Sequence, residues 1–433
     1  MNLYQDLQER GISYQQTDDA GLDLALRDQA NPITVYVGFD PTSDSLHVGN
    51  LLGLLVLRRC QQAGHRPIAL MGGATGMIGD PSGKTRERTL LDEERLRHNI
   101  DGIARSARGI LSFEGSNSAL LVNNYDWFKD VDVLWFLREV GKHFTVNHMV
   151  AKESVRARLE DREHGISYTE FSYMLLQAYD FYRLYKDLGC TLQVGGSDQW
   201  GNITAGIELT RRKEAADLNP QAPKLFGLTH PLVMKADGTK FGKSEQGTVW
   251  LDAAKTSPYR FYQFFVQTAD ADVLTYLKYF TFLPMAQIQE LGESLTAQPE
   301  KRAAQYALAR EVTRLVHGES ELARAERASQ ALFGASIREL DEATLLEVMS
   351  EAPSTHKPRS TLESAYAIVD ALVDSGLCAS KGAARRDIAA GGIYVNNDRV
   401  SDGNASLGAG DLIAGGHVVL RKGRKNHHLL RFG

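Results

Sequence analysis

The sequence predicts an α/β fold: a Rossmann-like parallel-sheet domain, then an all-helical domain, then a small α+β domain. Three observations predict it. Short runs rich in β-branched and aromatic residues (Ile33–Phe39, Pro67–Met71, Ala119–Val122 and Thr191–Val194) alternate with segments of helical periodicity, the pattern of a parallel sheet covered by helices on both faces. From about residue 258 to 350, helix formers with apolar residues at i, i+3 and i+4 take over. A polar segment with two prolines, Ser350–Ser360, then precedes a final small unit. The expected domains are 1–250, 251–350 and 361–433, with 351–360 as a linker. A chain of 433 residues is long enough to bury several such cores.

Taken in order, residues 1–30 read as a helix with a loose lead-in. The strand Ile33–Phe39 breaks at Asp40-Pro41-Thr42, and a helix follows from Leu46 to Ala63, stopping at Gly64. The strand Pro67–Met71 runs into a glycine-rich loop from Gly72 to Gly83, and a charged helix precedes the strand Ala119–Val122. Thr169–Lys186 reads as a long helix, and Thr191–Val194 as a strand entering Gly195-Gly196. In sheets of this kind ligands bind beyond the carboxyl ends of the strands. The polar motifs of this chain cluster at those ends.

Composition narrows the function classes. The chain is 43% hydrophobic and 24% charged, and no window approaches the eighteen apolar residues of a membrane span. The N-terminus carries Asp6, Glu9, Asp18 and Asp19 without an apolar core, unlike a secretory signal or transit peptide. Cys60, Cys190 and Cys378 lie far apart and form neither a metal pattern nor a disulfide framework; a reducing cytoplasm is the expected location. The net charge is −5, yet residues 361–433 hold nine Lys/Arg against seven Asp/Glu. After Asp411 no acidic residue appears, while Arg421, Lys422, Arg424, Lys425 and Arg431 do. Such a tail is a phosphate-contacting patch or a solvated surface run.

Five clusters carry chemistry. Tyr36-Val-Gly-Phe-Asp40-Pro-Thr42 followed by His47-Val-Gly49-Asn50 is a strand end, a turn and a helix start, where free N–H groups and the helix dipole suit a phosphate. His47 and Asn50 add side-chain donors, and Gly49 would let a nucleotide lie close to the backbone; the bland alternative is a plain helix start. Gly79–Thr85 imitates a P-loop but has three residues between its glycines and Ile78 where the first glycine belongs, so that reading is rejected. Asp80 in the same loop is a partner for an ammonium group, or a simple cap. Tyr173, Gln177 and Asp180 share one face of a helix beside Leu176, Phe181 and Leu184, and polar groups in such a stripe need a ligand or an internal network. Ser172, Tyr179, Arg183 and Lys186 are expected on the solvated face. In Gly195-Gly196-Ser-Asp198-Gln199-Trp-Gly-Asn, Asp198 is placed to accept from ribose hydroxyls. Lys240-Phe-Gly-Lys243-Ser244 puts two lysines on one loop, as a triphosphate in its transition state requires.

Together these residues resemble a class I aminoacyl-tRNA synthetase. His47-Val-Gly-Asn50 is similar to that family's His-Ile-Gly-His signature, and Lys240-Phe-Gly-Lys243-Ser244 to its Lys-Met-Ser-Lys-Ser signature. The likeness sharpens to the bacterial-type tyrosyl-tRNA synthetases on the 36–42, 72–82, 173–180 and 195–202 strings, and it covers nearly the whole chain. The resemblance implies that Tyr36 and Asp180 bond the hydroxyl of a substrate tyrosine. Asp80, Tyr173 and Gln177 would hold its ammonium group, with Gln199 near its carboxylate. Asp198, with backbone at Gly38 and Gly196, would take the ribose of ATP, with Asp40 and Gly49 in the same site. Thr42, His47, Asn50, Lys84, Lys240, Lys243 and Ser244 are implied as the catalytic phosphate apparatus, with Arg88 joining them. Ser375–Arg386 and Gly392–Asn396 resemble an S-four-type RNA-binding domain, which implies tRNA contacts from Lys381, Arg385, Arg386, Arg421, Lys422, Arg424 and Lys425. One departure stands out: Asn50 occupies the place of the signature's second histidine. A carboxamide N–H₂ can stand near one imidazole nitrogen and still donate, so activity is expected to survive.

The implied reaction joins tyrosine to ATP as an adenylate and then to tRNA(Tyr). It needs positioning and charge stabilisation rather than a protein nucleophile. Magnesium is expected to arrive with ATP, with no protein metal cage. No segment reads as an editing domain. A homodimer is implied by the resemblance alone. Two other readings share the scaffold: the tryptophan-specific sister enzyme, and an RNA-binding or splicing protein on a decayed synthetase.

Overall fold

The computed structural model describes residues 2–82, 92–160, 165–214, 224–239, 241–244, 247–332, 337–350, 352–423 and 426–433. Two compact units divide the chain: residues 1–257 with 264–316, and residues 258–263 with 317–433.

The first unit is built on a six-stranded sheet. Its strands are β1 (Gln15–Gln16), β2 (Thr34–Phe39), β3 (Arg66–Met71), β4 (Leu120–Asn123), β5 (Cys190–Gly196) and β6 (Phe226–His230), in the order β1-β6-β5-β2-β3-β4. All neighbours are parallel except β1 on β6. The chain winds from β2 to β3 and β4 in one direction and from β5 to β6 in the other. The reversal falls between β2 and β5, whose carboxyl ends therefore border the crevice where such sheets take ligands. The central strands are buried on both faces, so Val35, Tyr36, Val37 and Phe39 of β2 and Ile68, Ala69, Leu70 and Met71 of β3 all lie in the core, the continuous apolar run typical of parallel sheets.

The expected strands and long helices are present within a few residues of their predicted limits. Two local readings change. Residues 1–30 are not one helix: helices Leu3–Glu9 and Asp19–Arg27 flank β1, which pairs antiparallel with β6. Tyr179, expected on the solvated face of the helix Tyr168–Leu188, is 3% exposed. Its ring is enclosed by Tyr182 of the same helix and by Phe128, Trp135 and Phe136, which are more than forty residues away in the sequence.

In the second unit a five-stranded sheet has the order 398–399, 393–395, 417–422, 426–432, 354–357. Val418, Leu420 and Leu430 face the helices Ile368–Asp374 and Lys381–Ala389, while Val419 and Leu429 face Ala328, Ala331 and Leu345. Both faces are thus buried, and the alternation follows the two-residue period of a strand. The segment expected as a linker contains the strand Ser354–Lys357, paired in parallel with Asn426–Phe432. The backbone groups on one side pair with the sheet, so it is an edge strand and not a tether. The helical stretch after 258 also divides: residues 264–316 belong to the first unit, and the helices Glu319–Leu332 and Glu342–Val348 cover the second sheet. Among the described residues, no helix is long and apolar enough to cross a membrane.

Candidate active site

A cavity of about 510 Å³ opens at the carboxyl ends of the strands. Of the residues singled out from the sequence, it is lined by Tyr36, Gly38, Asp40, Thr42, His47, Gly49, Asn50, Asp80, Tyr173, Gln177, Asp180, Gly196, Asp198 and Gln199. Its walls run from fully buried side chains such as Tyr36 and Asp180, each 1% exposed, to the exposed Gly38 and Thr42.

The buried end centres on Asp180. Its Oδ2 accepts from Asn124 Nδ2 at 3.0 Å and its Oδ1 from Trp127 Nε1 at 3.0 Å. Hydrogen bonds to a charged group contribute about 1.5–3 kcal/mol each and offset part of the desolvation of the carboxylate. Burial still dominates and holds the Asp180 carboxyl well above the usual carboxylate range. Next to it the Tyr36 hydroxyl is buried and unpartnered among the described residues. Burial, reinforced by the charge of Asp180, raises that phenol well above its ordinary value, so it stays a donor. The Tyr36 ring is fixed edge-on against Phe181, 5.4 Å between centroids.

A network of short side chains leads outward. Asp40 accepts from Thr75 Oγ1 at 2.8 Å and from the Tyr173 hydroxyl at 2.9 Å. Asn124 donates to Thr75 Oγ1 as well as to Asp180, and accepts from the Ala74 backbone at 2.7 Å. Gln199 Nε2 donates to Asp80 Oδ2 at 2.7 Å, and the Ser82 backbone N–H donates to Asp80 Oδ1 at 2.9 Å. Asn202 joins this group by donating to Gln177 Oε1 at 3.0 Å and Gln199 Oε1 at 3.2 Å. Four carboxylates, Asp40, Asp80, Asp180 and Asp198, thus face one cavity.

At the start of the helix Val48–Gln62, His47 is the N-cap: Gly49 N–H donates to Nδ1 at 3.0 Å, and His47 N–H donates to Asn50 Oδ1 at 3.2 Å. An Nδ1 that accepts cannot carry the proton of a neutral ring, which therefore sits on Nε2. The Asn50 oxygen is committed to the capping box, which leaves its N–H₂ as the donor. Gly49 has a reason to be glycine besides the one expected from the sequence. A Cβ there would lie 2.7 Å from the His47 ring, so its smallness seats the histidine.

The second signature is tied to the first. Phe241 is buried among Phe264, Phe265, Tyr276 and Phe280, with the Tyr276 centroid at 4.6 Å. Gly242 has φ +88°, and a Cβ would fall 2.9 Å from Val48 Cγ2, so a glycine is required there. Val48 N–H donates to Val249 O, and Leu251 N–H donates to Leu46 O. The backbone of Lys243–Ser244 pairs antiparallel with Gly247–Thr248. Lys84, Arg88 and Lys240 lie outside the described residues, as do the side chains of Lys243 and Ser244.

Sequence reasoning missed Asn124, Trp127, Thr75 and Asn202. Asn124 had a usable signal, since it directly follows β4 at the same carboxyl edge of the sheet. Asn202 stands three residues after Gln199 on one helical face. Trp127 had none, because its partner is 53 residues away.

In the second unit, Arg385 and Arg386 are exposed, and Lys381 is exposed but paired with Asp370 at 2.5 Å. Arg421 and Lys422 differ from expectation. Arg421 is buried, lies 3.8 Å over the Tyr394 ring and donates to Asn397 Oδ1 and Gly423 O. Lys422 donates to Leu377 O and pairs with Asp387 at 2.8 Å. Both hold the domain together instead of presenting free cations. Arg424 and Lys425 lie outside the described residues.

Comparison with known proteins identifies the family. The family described as tRNA synthetases class I (W and Y) matches residues 28–334, and the tyrosine–tRNA ligase SYY-like C-terminal domain matches residues 346–430. The chain is 53% identical to the tyrosine–tRNA ligase of Roseiflexus castenholzii over 99% of both chains. It is equally 53% identical to that of Geobacillus kaustophilus over 100% of both. Among solved structures, a C-terminally truncated mitochondrial tyrosyl-tRNA synthetase of Aspergillus nidulans superposes with a TM-score of 0.68 at 31% identity, covering 77% of this chain and 94% of that one. A tryptophanyl-tRNA synthetase of Encephalitozoon cuniculi shares the fold alone, at 14% identity and a TM-score of 0.51 over 75% of this chain and 88% of that one. The chain belongs to the tyrosine–tRNA ligases, within the class I tRNA synthetases of the tryptophan and tyrosine branch.

Proposed function

We propose that the cavity activates L-tyrosine with ATP and passes the tyrosyl group to the 3′-terminal adenosine of tRNA(Tyr). The observation that carries this is the pairing of a buried, unpartnered Tyr36 hydroxyl with an Asp180 carboxylate already held by two N–H donors. A phenol donates one hydrogen bond and accepts others. The substrate hydroxyl donates to Asp180 and accepts from Tyr36, which satisfies both groups. Asp80, Gln177 and the Tyr173 hydroxyl take the ammonium group, with Gln199 near the carboxylate. Asp198, Gly38 and Gly196 take the ribose of ATP.

In the first step a tyrosine carboxylate oxygen attacks the α-phosphorus. The bond to the α,β-bridging oxygen breaks and pyrophosphate leaves. His47 Nε2–H, the Asn50 N–H₂ and Thr42 donate to the phosphates, with Lys84, Arg88, Lys240, Lys243 and Ser244 assigned to the same task. Magnesium enters bound to ATP. In the second step the terminal ribose hydroxyl of tRNA attacks the tyrosyl carbonyl and AMP leaves. Asn50→Ala is expected to slow adenylate formation about tenfold, the loss of one hydrogen bond in the transition state. A rate untouched by that change removes Asn50 from the catalytic set.

Arg385, Arg386 and Lys381 on one helix are the proposed tRNA-contacting cations of the second unit, and binding through them weakens with salt. A homodimer is proposed on the face formed by Val133, Leu134, Leu137 and Val146, exposed at 66%, 73%, 48% and 62%. An apolar patch of that kind marks an interface. Leu134→Asp is expected to convert dimers to monomers in sedimentation velocity; a monomeric unaltered protein at working concentration would end that assignment. The cytoplasm is the proposed location. The test of the whole reading is ATP–pyrophosphate exchange with tyrosine, phenylalanine and tryptophan in parallel. Exchange with tyrosine alone supports it, exchange with tryptophan redirects it to the sister specificity, and none with any of the three rejects it.

A further inference from the structure

One buried titratable side chain lining the cavity has no part in the reaction described above. His230 is the last residue of β6, paired in register with Gly196 of β5, and is 9% exposed. Its Nδ1 lies 3.0 Å from the carbonyl oxygen of Pro231. A carbonyl only accepts, so Nδ1 carries the proton and Nε2 of the neutral ring is left with its lone pair. Burial lowers the affinity of the ring for a second proton and keeps it neutral. Among the described residues Nε2 has no hydrogen-bond partner. It is turned toward Gly53 of the helix Val48–Gln62, where a Cβ would stand 3.8 Å away, and Gly53 lines the same cavity. Nε2 opens into the cavity as an uncommitted acceptor, where a ligand donor can take the place of water.

We infer that His230 is a nucleotide-binding residue whose Nε2 accepts a hydrogen bond from the nucleoside half of ATP, an inference that rests on the proposed ATP site. The donors on that half are the two ribose hydroxyls and the adenine amino group. The position favours them over the tyrosine: His230 is the strand neighbour of Gly196, and Leu232, two residues on, would lie 3.1 Å from a Cβ at Gly196. The tyrosine-hydroxyl pair is elsewhere, on β2 and the helix Tyr168–Leu188. The absence of a side chain at Gly53 leaves room for the ring to reach the ligand.

The test uses the full chain in tyrosine-dependent ATP–pyrophosphate exchange, with tyrosine affinity measured separately by calorimetry. His230→Phe keeps a flat ring over Gly53 and removes the acceptor. It is expected to raise the KM for ATP about tenfold, the size of one neutral hydrogen bond, and to leave tyrosine affinity unchanged. His230→Gln, whose Oε1 restores an acceptor, is expected to return KM to within about threefold of the unaltered protein. Of 2′-deoxy-ATP, 3′-deoxy-ATP and inosine triphosphate, the one lacking the donor that His230 takes loses affinity with the unaltered protein but loses no more with His230→Phe. That analogue identifies the group bound. A folded His230→Phe protein with unchanged KM for ATP overturns the inference. So does an equal loss of ATP and tyrosine binding in both variants, which would make the ring a packing element. If His230→Phe does not fold, His230→Leu is read by the same criteria. Failure of the broader reading looks different, as the unaltered protein would then show no tyrosine-dependent exchange.

Discussion

Asp180→Ala is expected to abolish most of the preference for tyrosine over phenylalanine. A site that bonds a hydroxyl rejects the analogue lacking it by about 10⁴–10⁵, tyrosyl-tRNA synthetases being the reference case for that figure. The proposed tyrosine site supplies the reason. Phenylalanine would leave the Tyr36 hydroxyl and the Asp180 carboxylate facing a hydrocarbon edge, and each buried unpaired group costs about 1–3 kcal/mol, more when charged. Removing the carboxylate removes the larger penalty, so the ratio of kcat/KM values should fall by about 100-fold or more. Most of that fall is a loss with tyrosine. Pyrophosphate exchange with both amino acids reads it directly, and an unchanged ratio in a folded variant would take Asp180 out of the specificity site.

The same residue gives a pH signature. In the unfolded chain Asp180 titrates near the ordinary value of about 3.9, and in the folded protein burial holds it well above that range. As pH rises from the unfolded value, the folded state keeps a proton that the unfolded state has lost. The unliganded protein therefore loses stability with rising pH until the raised folded value is passed, and this contribution is flat beyond it. The stability of the unaltered protein relative to Asp180→Ala should decline across that window in thermal melts without substrate. A difference that rises with pH would mean the carboxyl is held ionised instead.

His47→Ala has the second large expected effect. In the proposed ATP site it removes a donor aimed at developing phosphate charge, a type of loss that lowers kcat by about 10²–10³. It also removes the cap of the helix Val48–Gln62, about 1 kcal/mol of stability. The two effects separate with His47→Asn. Asparagine is a good cap and should restore the melting temperature, yet its shorter amide cannot place a donor where Nε2–H stands, so most of the rate stays lost. Full recovery of rate in His47→Asn would reduce the role of His47 to capping.

Much of this site could be read before any coordinates because its residues sit on local patterns. Tyr36 and Asp40 lie at the end of an apolar strand, His47 and Asn50 open a helix, and Tyr173, Gln177 and Asp180 repeat at helical spacing. The missed features depend on distant partners. Trp127 enters the site only through its bond to Asp180, and Tyr179 is buried because residues 128–136 fold over it. The strand Ser354–Lys357 looks like polar linker because it is four residues long and pairs with Asn426–Phe432 at the far end of the chain. Arg421 reads as a free cation in a basic run, whereas a strand neighbour, Tyr394, takes it as a stacking partner.

The helix Pro258–Val266 is shared between the two compact units: Tyr259 and Phe261 belong with the second, Phe264 and Phe265 with the first. This bears on anyone who wants a minimal activating fragment. A stop codon after residue 350 would strip Val419 and Leu429 from Ala328, Ala331 and Leu345 and leave a greasy, half-dressed pair of helices. Stopping after 316 avoids that but undresses Phe261, whose ring now meets His317 at 4.7 Å. Neither cut yields a clean surface. A soluble fragment needs polar replacements at Tyr259 and Phe261 along with the earlier stop.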